Sequence, residues 1–208
     1  MLFRSYIGNA RSAAERGAKL TRQLLAFARK TRLSPKPTDL SALVTNFIDV
    51  IESSLGSQVH LQLNLRRRLP RVMVDPEQLE MALLNILMNA RDAMASGGVV
   101  TIATRAIHLN GDAPMRQLPE GDYVAIEVSD EGTGMSDDVI ERATEPFFTT
   151  KSQGKGTGLG LAMASGFVQQ SRGRLEIESE LGQGAMLRML FPVAHDQDDE
   201  ASEIGRAH

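Results

Sequence analysis

The sequence predicts an α+β fold: one mixed sheet covered by helices, preceded by one long helix. Three observations predict it. Stretches that alternate with period two ("VHLQLNL", residues 59–65) stand beside stretches with apolar residues three to four apart (residues 40–55). These patterns follow one another without the strict strand–helix alternation of a doubly wound sheet. Apolar residues make up 42% of the 208, enough core for one domain of ordinary size and a smaller element.

Residues 5–33 read as one helix, with Leu20, Leu24, Phe27 and Ala28 on a narrow apolar stripe of the kind that packs against another helix. "SPKP" (residues 34–37) ends it, because two prolines so close together make a stiff, extended joint. The expected division is therefore 1–36 as a separate helical module, 37–193 as the main domain and 194–208 as a polar, acidic, disordered tail. An amphipathic helix follows from Thr38 or Asp39 as cap to Gly56, then strands over 59–65 and 72–74. Asp75-Pro76-Glu77-Gln78 is a helix start, and that helix runs to about Ser96 before Gly97-Gly98. Strands are expected over 99–109 and 123–129, a short helix from Ser136, a helix over 158–170, and a final hairpin over 175–179 and 185–191.

Composition removes several classes of function. A net charge of −3 argues against a general nucleic-acid binder. The absence of Cys excludes disulfides and thiolate metal sites and suits a reducing, cytoplasmic compartment. No apolar run reaches the ~18 residues of a membrane span, although a parent protein could still be membrane-anchored.

Three stretches carry chemistry. In "NILMNARDAM", Asn85, Asn89 and Asp92 share one helical face. Asn is a poor helix former, so this row reads either as a plain polar face or as oxygen ligands for Mg²⁺ and phosphate. In "VSDEGTGM", Asp130 ends a strand before Gly132 and Gly134. It is either an acidic turn or an acceptor for an exocyclic amine beside glycines that admit a flat ring. In "EPFFTTKSQGKGTGLGLAMASG" the glycines lead straight into a helix. Its free N–H groups and positive dipole end make a ready phosphate site, though a flexible surface loop has the same look. Gly rather than Ser or Thr follows Lys155, so it is not a Walker A loop, and the dinucleotide fingerprint spacing is also missing.

Taken together and in this order, the stretches resemble the ATP-binding catalytic domain of sensor histidine kinases. "NILMNARDAM" resembles the N box, "DEGTGM" the G1 box, "EPFFTTK" the F box and "GKGTGLGLA" the G2 box. The resemblance covers roughly residues 38–192. In addition, "ERGAKLTRQLLAFARK" resembles the second helix of the dimerisation and phosphoacceptor hairpin.

The resemblance implies a Bergerat-type (GHKL) sandwich that binds ATP and Mg²⁺. Asp130 would accept from the adenine amino group, with Gly132, Gly134 and Met135 around the base. Asn89 would bind Mg²⁺, while Asn85 and Asp92 would stand on the phosphate side. Residues 147–157 would form a lid over nucleotide, with Thr150, Lys151, Lys155, Gly156 and Thr157 as contacts and Gly158, Leu159 and Gly160 starting the helix below the phosphates. Phe147 and Phe148 would dock the lid on the first module or anchor it in the core. Implied partners are a hairpin carrying the acceptor His, a response-regulator receiver domain and a second copy met through residues 5–33.

Three rival readings share the fold. Hydrolytic ATPases place a Glu base four residues before the metal-binding Asn; here that position is Asn85, an amide that cannot take a proton from water. An anti-sigma serine kinase and a non-catalytic docking domain are the second and third. The chain departs from the histidine kinase pattern in three places. None of its four His residues lies on the first helix, so the acceptor is absent. Ala185-Met186 stands where a Thr is frequent, and Asp92 where many members have a basic residue.

Overall fold

A computed structural model describes residues 33–110, 118–151 and 156–194. The first helix, the acidic tail and Lys155 lie outside these described residues. The elements in order are β1 (Lys36–Thr38), α1 (Leu40–Asn46), α2 (Ile48–Leu55), β2 (Val59–Asn64), β3 (Val72–Val74), α3 (Pro76–Ala93), β4 (Gly98–Leu109), β5 (Gly121–Asp130), α4 (Asp137–Arg142), α5 (Gly160–Gln170), β6 (Arg174–Ser179) and β7 (Ala185–Pro192). Strands β2-β4-β5-β7-β6 form a five-stranded sheet in that order. β2 and β4 are parallel and the other pairs antiparallel, so the sheet is mixed, as predicted.

One face of the sheet is apolar because its strands alternate. Val100 and Ile102, then Val124, Ile126 and Val128, then Leu187, Met189 and Phe191 all point to the side covered by α3 and α5. From α3 come Leu79, Leu83, Ile86, Leu87 and Ala90; from α5 come Ala164, Phe167 and Val168. Phe167 meets Phe191 with ring centroids 6.0 Å apart. The opposite face of the same strands carries an ionic ladder. Glu127, only 6% exposed, accepts from Arg105 Nε at 2.8 Å and Arg188 Nε at 2.7 Å. Arg188 Nη1 also reaches Glu176 at 3.0 Å and Glu178 at 3.1 Å.

Two local expectations are corrected. The expected single helix over 40–55 is two, broken at Phe47 (φ −102°, ψ 4°). Thr45 and Asn46, both weak helix formers, precede the break, and Thr45 Oγ1 bonds back to the Ser41 carbonyl. The proline joint is extended, but it is not free: Lys36–Thr38 pairs antiparallel with Val72–Val74 in a second, two-stranded sheet. Pro37 survives there because this sheet has only edges. Among the described residues, no helix is long and apolar enough to cross a membrane.

Ile126 sits on the central strand with no exposed surface. Ile126→Ala should cost about 2–5 kcal/mol, the usual range for a buried large-to-small change, and urea titration reads it directly.

Candidate functional site

The apolar face of α3 sets the roll of that helix, and the roll decides where its polar face points. Asp75 starts the helix by accepting from Glu77 N–H and Gln78 N–H. Burial of Leu79, Leu83, Ile86 and Leu87 against the sheet then leaves Asn85, Asn89 and Asp92 on the outer side. Asn85 meets the start of α5. A Cβ added at Gly160 would lie 3.6 Å from Asn85 Oδ1, so the helix start faces the amide across a space that a methyl group would fill. The cap residue of α5, Leu159, is fully buried and offers no capping hydrogen bond. The first N–H groups of α5 therefore stand beside Asn85 with the positive end of the helix dipole.

Asp130 lies at the other end of the site. It is 9% exposed, and its Oδ1 accepts from Gly132 N–H at 2.8 Å. Burial raises its pKa; the backbone N–H bonds from Gly132 and Ala185 oppose that rise and favour the carboxylate. Gly132 is pressed on the end of α3: a Cβ there would come within 2.7 Å of the Ala93 Cβ. Thr133 N–H completes the link by donating to the Ala93 carbonyl at 3.2 Å. Gly134 (φ 65°) has a left-handed backbone that no side chain fits, since its Cβ would overlap the Glu180 carbonyl. Asn85 and Ala93 are eight residues apart on α3, so the amide end and the Asp130 end are separated by ~12 Å along one rigid helix.

The segment between α4 and α5 closes the third side. Phe147 (φ 70°) donates its N–H to the Gly158 carbonyl at 2.9 Å. Its ring is 59% exposed, so it is not lid-anchoring core; the module it was expected to dock on lies outside the described residues. Phe148 is half-buried beneath the Arg142 guanidinium, 4.2 Å from the ring centroid. Lys151 Nζ reaches across to α3, donating to Asn89 Oδ1 at 3.2 Å and Asp92 Oδ2 at 2.7 Å. Arg91 takes the other oxygen of Asp92 at 2.7 Å. Burial would raise the Asp92 pKa, but Lys151 and Arg91 outweigh it and hold the carboxyl below its usual range.

Of the residues singled out in the sequence, Asn85, Asn89 and Asp92 therefore line one face of α3, with Gly160 opposite Asn85 and Lys151, flanked by Gly156, across Asn89 and Asp92. Asp130, Gly132 and Gly134 fall together at the C-terminal end of α3, with Met135 behind them, its N–H on Ser179 Oγ at 2.9 Å. Thr150 is exposed and Thr157 half-buried, and neither is bonded to this constellation. Three further supports bear on the main chain of this end, and the sequence does not name their partners. Ser179 also donates to the Gly184 carbonyl at 2.7 Å, Gly184 (φ 81°) packs on the Asp130 backbone, and Ala185 serves Asp130 through its backbone.

The model of the histidine kinase-, DNA gyrase B- and HSP90-like ATPase family matches residues 74–195. The chain belongs to that family. Its similar relatives are sensor kinases: Sensor kinase CckA of Brucella abortus, 42% identical over 89% of this chain and 20% of that protein, and Sensor histidine kinase ZraS of Klebsiella oxytoca, 31% identical over 90% of this chain and 38% of that protein. The chain thus spans well under half the length of the curated relatives it matches. Among solved structures, full-length ShkA in complex with AMPPNP is 28% identical with a TM-score of 0.73, over 92% of this chain and 39% of that one. The mycobacterial sensor histidine kinase MprB, at 21% identity and TM-score 0.60, covers 76% of this chain and 97% of that one and shows the shared fold. The GHKL-type sandwich of this ATPase family is therefore the architecture of the chain.

Gly158 (φ 64°) faces the Phe147 backbone with no room for a Cβ. Gly158→Ala should break the Phe147–Gly158 hydrogen bond, and amide exchange at Phe147 should accelerate about 5–30-fold, as a strained left-handed residue costs ~1–2 kcal/mol.

Proposed function

We propose that the chain is the catalytic portion of a two-component sensor histidine kinase. It binds Mg-ATP and presents the γ-phosphoryl to a His on a helical hairpin, for relay to an Asp of a response-regulator receiver domain. The observation that carries this reading is the position of Asn85 opposite Gly160 at the uncapped start of α5. A triphosphate held there meets backbone N–H groups and an amide. No carboxylate stands at Asn85 to take a proton from water, so the phosphoryl group is positioned for transfer with hydrolysis left uncatalysed by a base at that place.

The remaining roles follow from place. Asp130 accepts the amino group of the base, and Gly132 and Gly134 let the base lie close to the backbone. The Asn89 carbonyl oxygen suits a hard cation. Among the described residues no three His, Cys, Asp or Glu cluster as a metal cage, which fits an Mg²⁺ that arrives with phosphate and takes few protein ligands. Bound Mg²⁺ would supply charge neutralisation of the phosphates. The acceptor comes from another segment or another chain. His60 and His108 lie on β2 and β4, and His108 Nδ1 is engaged with Asp122 Oδ1 at 2.7 Å. A dimer through residues 5–33 would bring hairpin and catalytic domain together, on the cytoplasmic side whether or not a parent protein is membrane-anchored.

Asp130→Asn should weaken binding of a non-hydrolysable ATP analogue about 10–100-fold, the worth of a hydrogen bond to a charged group; calorimetry measures it. Asn89→Ala should abolish the dependence of nucleotide binding on Mg²⁺. The kinase reading itself is tested with γ-labelled ATP, Mg²⁺ and a separate hairpin that carries the acceptor His. Label should move to the hairpin with little free phosphate. Free phosphate as the main product without the hairpin would replace the kinase reading by a hydrolytic one.

A further inference from the structure

Among the described residues, Lys151 brings an ammonium directly onto the polar face of α3. Its ammonium sits between two oxygens of α3, Asn89 Oδ1 at 3.2 Å and Asp92 Oδ2 at 2.7 Å. These residues are three apart, so they are neighbours on the helix surface. The arrangement is built rather than loose. Lys151 N–H donates to Thr149 Oγ1 at 3.2 Å. Gly156 runs alongside, where a Cβ would meet Thr149 Oγ1 at 2.5 Å and the Lys151 stem at 3.2 and 3.3 Å. A side chain there would crowd the Thr149 hydroxyl and press on the Lys151 stem. From the far side, Arg91 holds Asp92 and is itself anchored by Nη1 on the Ser54 carbonyl at 2.8 Å. The two carboxylate oxygens of Asp92 are thus divided between two cations.

The same Asn89 oxygen is the metal ligand of the proposed function, on which this inference rests. An ammonium and a hard divalent cation both seek that oxygen, and they cannot hold it together. We infer that the Lys151 ammonium is a built-in placeholder for the metal: it occupies Asn89 until a metal–triphosphate arrives, then withdraws to Asp92. The two contacts are unequal in the right direction. The bond to neutral Asn89 is long, and the bond to charged Asp92 is short and charge-assisted. Exchange therefore gives up the weaker contact and keeps the stronger. Asp92 keeps Arg91 throughout, so its charge stays neutralised when phosphates approach. The placeholder also serves a metal-free nucleotide, because an ammonium at this position faces the phosphates as the metal would.

The test is the metal dependence of binding, read by calorimetry with AMPPNP in saturating Mg²⁺ and in excess EDTA, for the full chain and for Lys151→Met. The wild type should show a small ratio between the two affinities. In Lys151→Met the EDTA affinity should fall about tenfold, the lower end for a hydrogen bond to a charged group, while the Mg²⁺ affinities of the two proteins stay within about threefold of each other. Lys151→Arg, which keeps the charge, should return the ratio toward wild type. Equal ratios in wild type and Lys151→Met would overturn the inference and leave a plain surface ion pair. No AMPPNP binding by the wild type in either buffer would overturn the nucleotide reading, and this inference with it.

Discussion

The roll of α3 is the constraint on which the site depends. Leu79, Leu83, Ile86, Leu87 and Ala90 are locked between the sheet and α5. Rotating the helix by one position would expose that stripe and bury Asn85, Asn89 and Asp92 among hydrocarbon, where unpaired amides and a carboxylate are costly. Burial thus aims the polar face, with no dedicated interaction for aiming it. The same helix also sets the scale of the site. Gly160 faces it at Asn85 and Gly132 packs on it near Ala93, so both ends are measured off one rigid rod.

Much of this was legible in the sequence, and for one reason. Helices and strands with one buried face must show their period, and the periods over β2 and α3 were visible. The polar row of α3 stood out because Asn is unfavourable inside a helix. Asp75-Pro76 marked the helix start by capping chemistry alone. What stayed illegible rests on backbone rather than side-chain pattern. The break at Phe47 comes from a local hydrogen-bond competition within a continuous amphipathic pattern. The pairing of Lys36–Thr38 with Val72–Val74 joins segments of three residues, too short to show a period.

The site was half legible in the same sense. Its glycines were visible, but which contacts make each one necessary was not. Gly134 is required by a carbonyl of Glu180 and Gly158 by the backbone of Phe147, while Gly156 packs on the Thr149 hydroxyl and the stem of Lys151. Each contact is long-range in sequence or lies across a turn, and a glycine in a row of letters does not name its neighbour. The pairing of Lys151 with Asn89 and Asp92 has the same character, since it spans about sixty residues.

The ionic ladder on the open face of the sheet has a consequence for how the strands find one another. Glu127 and Arg188 face each other across β5 and β7, and Arg188 and Glu176 across β7 and β6. Slipping β7 by one residue would push the guanidinium into the apolar core and turn Leu187 outward. It would also leave a nearly enclosed Glu127 without one of its cations, which is severe in so dry a position. The ladder therefore acts as a key with one correct notch. A misaligned pairing of the late strands is rejected by charge as well as by grease, so the carbonyl of Asp130 reaches Gly184 in only one alignment.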